Sequence, residues 1–218
     1  MHPSSYNQME AAINEHLGNI TPLNILDVGS YDVNGSYKPI FARIEWSYTG
    51  FDQTEGPNVD VVSTDPHKLP FDNDSFDAVV SGQAFEHMEY FWIAMLEIAR
   101  VLKPNGKAFI IAPSKGFEHR YPIDCWRFYP DGFRTLGKWS GLTVLEVKSD
   151  LADHASIWGD TLGVFHKPAD WSLFDTELYA ISGAHDERRR AEMILNSRSW
   201  KITSPLRSIA KALGITRL

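Results

Sequence analysis

Four apolar runs end in residues that can do chemistry: ILDVGS (25–30), TGFD (49–52), STDPHKLPF (63–71) and SGQAFEHM (81–88). Acids stand at three of these ends, Asp27, Asp52 and Asp65. A carboxylate at a strand tip can accept hydrogen bonds from both hydroxyls of a ribose or from an exocyclic amine. A lone strand-end aspartate is more often a cap or a turn residue, whereas three at successive strand ends point to one cleft. In the loop after the first run, Gly29 allows the backbone to approach a ligand closely, and the amides that follow can donate toward it. A dinucleotide site wants G-x-G-x-x-G so that its pyrophosphate lies at a helix N-terminus, but here the next glycine after Gly29 is Gly35, and Asp27 would repel the phosphate. Such a pocket suits a nucleoside that carries positive charge and no phosphate.

Two histidines stand where a general base would serve. His87 lies near the end of the fourth run, and an imidazole with an ordinary pKa of about 6.5 can take a proton at neutral pH. His119 lies in SKGFEHRYPIDCWRFYPDGF (114–133), which mixes aromatic and charged residues far more than a plain connector does. Flat apolar surfaces beside a few fixed hydrogen-bonding groups fit a ring-shaped polar acceptor such as a sugar, with Tyr121, Trp126 and Arg127 as its contacts. His87, His119 and Asp124 are then the candidate catalytic residues. The competing assignment tucks Trp126 and Phe128 into the core and pairs Arg127 with Asp124. Glu86 either touches the cofactor or caps the following helix, the cap being favoured. His87, His119 and Asp124 could converge on a metal, but no H-x-x-x-H or C-x-x-C spacing demands one and none is expected.

These residues need a scaffold. Seven β-rich runs (NILDVGS, WSYTGFD, VDVVST, FDAVVSG, KAFIIAPS, LTVLEVKS and TLGVFHK) recur between turn-formers such as DNDS and KPNG, and several are apolar without alternation, as strands buried on both faces should be. Residues 88–102 place Phe91, Met95, Ala99 and Leu102 at helical spacing, and an opening helix is expected from about Ser5 to Leu17, capped by Ser4 and stopped by Gly18. Strands alternating with helices imply an α/β fold with a doubly wound, mostly parallel seven-stranded sheet, its last two runs forming an antiparallel pair at one edge.

The chain has 218 residues, 43% of them hydrophobic and 22% charged, enough for one core with embellishments. Its net charge of −7 argues against a general nucleic-acid surface, so no nucleic-acid partner is expected. No run of about 18 apolar residues exists and the N-terminus does not read as an export signal. With Cys125 as the sole cysteine, a cytoplasmic location is the expectation. Residues 193–218 carry five basic residues and no acid, so the tail is +5 and the rest −12. A domain over 1–183 followed by a basic helical extension over 184–218 is expected, the extension packing on its own domain or else touching a membrane surface or a protein.

Taken together, ILDVGS, TGFD, DPHKLPFDNDSFDAVVSGQAFEHM and ARVLKPNGKAFIIAPS resemble the class I S-adenosylmethionine-dependent methyltransferases, in particular those with a methyltransferase-11-like core, over roughly residues 23–150. The donor's sulfonium and ammonium groups fit the acid-rich pocket. The resemblance implies Asp27, Gly29 and Ser30 around the methionine portion, Asp52 on the ribose, Asp65, Pro66 and His67 beside the adenine, and Ser81 and Gln83 along the same pocket. It departs from the family's D-x-G-x-G-x-G loop at Tyr31 and Val33, which requires a different loop path. SWKITSPLR is similar to tails of proteins from bacterial surface-polysaccharide gene clusters, which tilts the expected acceptor toward a glycan or nucleotide sugar. The implied activity is methyl transfer to oxygen of a sugar or similar small polar molecule, with a non-catalytic S-adenosylmethionine-binding or scaffold protein and a nicotinamide-dependent oxidoreductase as alternatives.

Overall fold

In the computed structural model, which describes residues 2–18, 20–65, 68–150 and 156–173, each of the seven β-rich runs forms a strand of one sheet. The strands are β1 (Leu23–Val28), β2 (Trp46–Asp52), β3 (Val61–Val62), β4 (Phe76–Gly82), β5 (Leu102–Lys115), β6 (Thr143–Ser149) and β7 (Gly159–His166), in the spatial order β3-β2-β1-β4-β5-β7-β6. β1 to β5 pair in parallel, whereas β7 runs antiparallel between β5 and β6. The final hairpin is therefore as expected, with the earlier of its two strands at the edge. KPNG lies inside β5 instead of before it, as a bulge: Phe76 pairs with Leu102 and Ala78 with Lys107, and Asn105 sits at φ 65°.

Side-chain alternation divides the core between the two faces. Ile25, Val80, Phe109 and Ile111 point to one side, where α1 (Pro3–His16) and a 3-10 turn at Lys38–Phe41 add Met9, Ile13 and Phe41. Leu26, Val79, Ala108 and Ile110 point to the other, under α2 (Phe91–Val101) and α3 (Pro130–Ser140). Central strands covered on both faces explain why β4 and β5 read as unbroken apolar runs.

Two local expectations need correction. Ser4 does not cap α1, because the helix already starts at Pro3, whose fixed φ suits the first helical position; His2 is the capping residue and offers no side-chain bond. α3 has no counterpart in the expected elements. It begins at Pro130 and ends at Gly141, which takes the left-handed conformation (φ 70°) that closes helices.

Among the described residues no helix is long and apolar enough to cross a membrane. The expected domain boundary at 183 and 184, the basic tail, Pro66 and His67 lie outside the described residues.

Candidate active site

Strand order reverses between β1 and β4, and in open α/β sheets the crevice beyond the strand carboxyl ends at such a point receives ligands. A cleft of about 550 Å³ lies there. Of the expected site residues, Gly29, Asp52, Asp65, Gln83, His87, His119 and Tyr121 line it. Gln83 holds its backbone in the left-handed region (φ 58°), an uncommon state for a residue other than glycine, and its side-chain amide donates to Ser5 Oγ and Asp160 Oδ1.

Gly29 is required twice over. Its φ is +84°, and a Cβ built there would stand 2.5 Å from Ala84 Cβ, across the gap between the β1 and β4 loops. Gly29→Ala should therefore lower stability by about 1–3 kcal/mol and weaken ligand binding in the cleft, read as a lower urea midpoint and a higher Kd. An unchanged midpoint would show that the two loops separate freely.

Five amides of the loop after β1 are engaged within the protein. Gly29 N and Ser30 N both donate to Phe51 O, extending the β1–β2 ladder past the strand end. Tyr31 N donates to Asp52 Oδ2, Asp32 N to Pro57 O and Gly35 N to Asp32 Oδ1. After β1 the first helical turn is the 3-10 turn at Lys38–Phe41, so no α-helix starts directly from this loop. A pyrophosphate would find five of the loop amides engaged and no α-helix starting directly from this loop, which weakens the physical basis for a dinucleotide site.

Asp52 lines the cleft and accepts from the amides of Tyr31, Gln53 and Thr54. Asp27 lies elsewhere. Its parity on β1 is that of Ile25, so it points to the α1 face, where its carboxyl is 3% exposed and accepts the Tyr48 hydroxyl at 2.6 Å. Burial, opposed by that hydrogen bond and reinforced by the nearby Asp52 charge, pushes its pKa up to about 7. Ser30 and Ser81 are also buried and bonded inward, to Asn58 O and Val28 O, so these three residues shape the strand ends without lining the cleft.

The opposite wall comes from one 3-10 turn and the loop after β5. A 3-10 turn, Phe85–His87, aims Phe85 into the core and places Glu86 and His87 on the cleft. Glu86 caps nothing; α2 starts at Phe91 without a side-chain cap. Its carboxyl is fully buried, both oxygens lack a hydrogen-bond partner, and burial pushes its pKa up to about 8. His87 Nδ1 lies 2.5 Å from Ile123 O; a carbonyl can only accept, so Nδ1 carries the proton and Nε2 keeps its lone pair. Burial lowers the His87 pKa, which keeps this ring neutral.

Asp124, Trp126 and Arg127 stand behind this wall instead of on it. The Asp124 carboxylate accepts from Arg127 Nη1 (2.6 Å), Arg127 Nη2 (2.8 Å) and His119 N (2.7 Å), and the Arg127 guanidinium holds its pKa down at about 2. Trp126 donates to Met88 O and packs edge-on against Phe91 and Trp92. Tyr121 does reach the cleft, facing Tyr31 with ring centroids 6.3 Å apart.

Comparison with known proteins adds an independent observation. Residues 26–110 match the family model described as a methyltransferase domain. Residues 26–110 carry a methyltransferase-domain core. The domain is 41% identical over 69 residues to the ubiquinone/menaquinone biosynthesis C-methyltransferase UbiE of Chromobacterium violaceum, covering 32% of this chain and 28% of that protein. It is 31% identical over 99 residues to the phthiotriol/phenolphthiotriol dimycocerosates methyltransferase of Mycobacterium leprae, covering 40% and 37%. The chain thus spans well under half the length of the curated relatives it matches. In three dimensions the methyltransferase domain is similar to a Burkholderia thailandensis 1,6-didemethyltoxoflavin-N1-methyltransferase solved with 1,6-didemethyltoxoflavin and S-adenosylhomocysteine, with TM-score 0.59, 18% identity and coverage of 76% and 79%. It is equally similar to the cyclase SpnF, with TM-score 0.59, 16% identity and coverage of 74% and 80%, so the fold alone does not fix the reaction. The family match contains the β1, β2 and β4 tips and stops before His119 and Tyr121.

Proposed function

We propose that this chain transfers the methyl group of S-adenosylmethionine to an oxygen of a sugar or other small polar acceptor, a glycan or nucleotide sugar among them. The observation that carries the reading is the cleft at the β1/β4 reversal, with Asp52 at its rim and the amides of Gly29, Ser30, Tyr31 and Asp32 already taken. A volume of about 550 Å³ lies within the range of roughly 300–1,000 Å³ usual for small-molecule sites, and the acids fit a cationic nucleoside. Asp52 would hold the ribose hydroxyls, and Asp65, at the tip beyond β3, the base edge. When bound, the donor supplies a methyl on sulfonium, whose sulfur departs as a neutral thioether and needs no acid.

The chain's own work is then on the acceptor. Tyr121 and Tyr31 offer flat surfaces for a ring, and His87 Nε2, neutral and with its lone pair available, takes the hydroxyl proton as oxygen attacks. Holding the two reactants in attack geometry accounts for on the order of 7 kcal/mol or more of the barrier.

Calorimetry with S-adenosylmethionine tests the first step, and absence of binding would refute the reading. Asp52→Ala should weaken binding by about 1.5–3 kcal/mol, roughly 10- to 150-fold in Kd, because a charged acceptor is lost from two hydroxyls. Asp52→Asn, which keeps one acceptor for the loop amides, should fall between the two.

A further inference from the structure

Buried carboxylates in native proteins are paired, hydrogen-bonded or bound to metal, and the Glu86 carboxyl is 0% exposed with neither oxygen in a hydrogen bond. Two imidazoles converge on it. His87 Nε2 is 3.6 Å from Glu86 Oε1 and His119 Nε2 is 3.9 Å from the same atom, and one ligand atom from each residue lies within 4.8 Å of the others. The two rings stand 5.3 Å apart at 87°, edge to face. A tetrahedral ion with bonds of about 2.0–2.2 Å needs its ligand atoms roughly 3.4 Å apart, so sub-ångström shifts would bring the Glu86 oxygen and the two ring nitrogens into place.

The remote ring nitrogens are arranged as those of metal-bound histidines are. His87 Nδ1–H is held by Ile123 O at 2.5 Å, and His119 Nδ1 lies 3.3 Å from Phe117 O and 3.5 Å from Asp124 Oδ2. The Ile123 carbonyl fixes the His87 tautomer and aims its Nε2 at the ion; at His119 two acceptors favour the same tautomer, while the donor Arg127 Nη2, also 3.5 Å from Nδ1, bonds only to the other. Glu86, His87 and His119 also line the cleft, so coordination positions beyond these three open onto the space where an acceptor would lie.

A second grouping, Glu15, His16 and Glu146, lacks these features. Glu146 is already engaged by His16 at 2.8 Å and by Lys148, and Glu15 is exposed.

We infer that Glu86, His87 and His119 form a binding site for one divalent first-row transition-metal ion, open toward the cleft. Two imidazoles and one carboxylate select zinc, manganese, iron or cobalt over magnesium or calcium, which prefer all-oxygen sites. The function of the ion rests on the methyl-transfer reading, although its binding does not. An acceptor hydroxyl on the open side would coordinate the ion through oxygen and lose its proton to water, keeping the electron pair for attack on the methyl. His87 would then serve as a ligand in place of a proton acceptor.

The test uses the full chain stripped by a chelator and titrated with Co²⁺, followed by calorimetry and visible absorption. One ion per chain is expected, with the d–d bands of a low-coordinate nitrogen and oxygen site. Glu86→Gln and His119→Ala should each weaken binding roughly 100-fold and abolish the bands, whereas His16→Ala should leave both unchanged. His119 is 40% exposed, so its variant should fold, as a circular dichroism melt without metal would verify, and it decides the matter if Glu86→Gln does not fold. The inference is overturned by sub-stoichiometric binding, by binding that survives His119→Ala, or by binding lost with His16→Ala. S-adenosylmethionine titrated into the same stripped protein separates the two readings: donor binding without Co²⁺ binding sinks only the metal site, and the reverse sinks only methyl transfer.

Discussion

Arg127→Ala should lower the unfolding free energy by about 3–5 kcal/mol and loosen the wall that carries His119 and Tyr121. The Asp124 side chain is only 2% exposed, and two of its three hydrogen bonds come from Arg127. Arg127 also donates to Phe117 O and Trp126 O, so one guanidinium ties together both ends of the 117–127 segment. Removing it leaves a buried carboxylate with only the His119 amide, and the cost is that of the abandoned charge more than of the lost bonds. The neighbouring pair is the internal control. Arg120 and Glu118 are 72% and 63% exposed, and in open solvent such a pair contributes little, so Arg120→Ala should leave the urea midpoint where it is. Equal midpoints for Arg127→Ala and Arg120→Ala would mean that water reaches Asp124 and that another contact holds the loop.

That latch shows where the sequence was and was not readable. The mixture of aromatic and charged residues over 114–133 correctly marked an unusual segment, but composition could not say which members face inward. Trp126, 37% exposed, satisfies its N–H on Met88 O and packs edge-on against α2, and Arg127 and Asp124 consume each other, leaving Tyr121 and His119 for the cleft. The strands were legible because double burial forces unbroken apolar runs bounded by turn residues. α3 was not, since Gly132 and Gly137 weaken its helical pattern. Gly137 has a packing reason: a Cβ there would stand 2.4 Å from Val144 Cγ2, so the glycine lets the helix sit close on β6. The end signals, Pro130 and Gly141, were present in the sequence and were the clue to use.

The acids divide in the same way. Asp52 ends β2 at the cleft because strand termination sets its place. Asp27 does not end β1 but sits one residue before its end, and period-2 alternation assigns it the face of Ile25. That parity could be counted from the sequence once the apolar residues were assigned to faces. The fate of the loop amides could not, because it depends on Phe51 O accepting two successive donors beyond the regular ladder. Glu86 depends on the 3-10 turn at Phe85–His87, a three-residue element too short to leave a periodic trace.

Asp27 supplies the second large effect, on the pH dependence of stability. Its carboxyl titrates near 3.8 when unfolded and is pushed up to about 7 when folded, so between those values the folded chain holds a proton that the unfolded chain has released. Stability rises with pH only where the unfolded state binds more protons; here the folded state binds more, and the Asp27 contribution must fall from about pH 4 to about pH 7. The full difference is on the order of 4 kcal/mol. Asp27→Asn cannot titrate, yet its side-chain oxygen still accepts the Tyr48 hydroxyl that Asp27 accepts at 2.6 Å. The variant should therefore become progressively more stable than the wild type as pH rises from 5 to 8, with the gap closing toward pH 4. Since every other titrating group is common to both proteins, the difference between their urea midpoints isolates Asp27. A difference that stays constant across this range would mean that the carboxyl is already ionised in the folded protein, and that the space beneath Tyr48 is wetter than its 3% exposure implies.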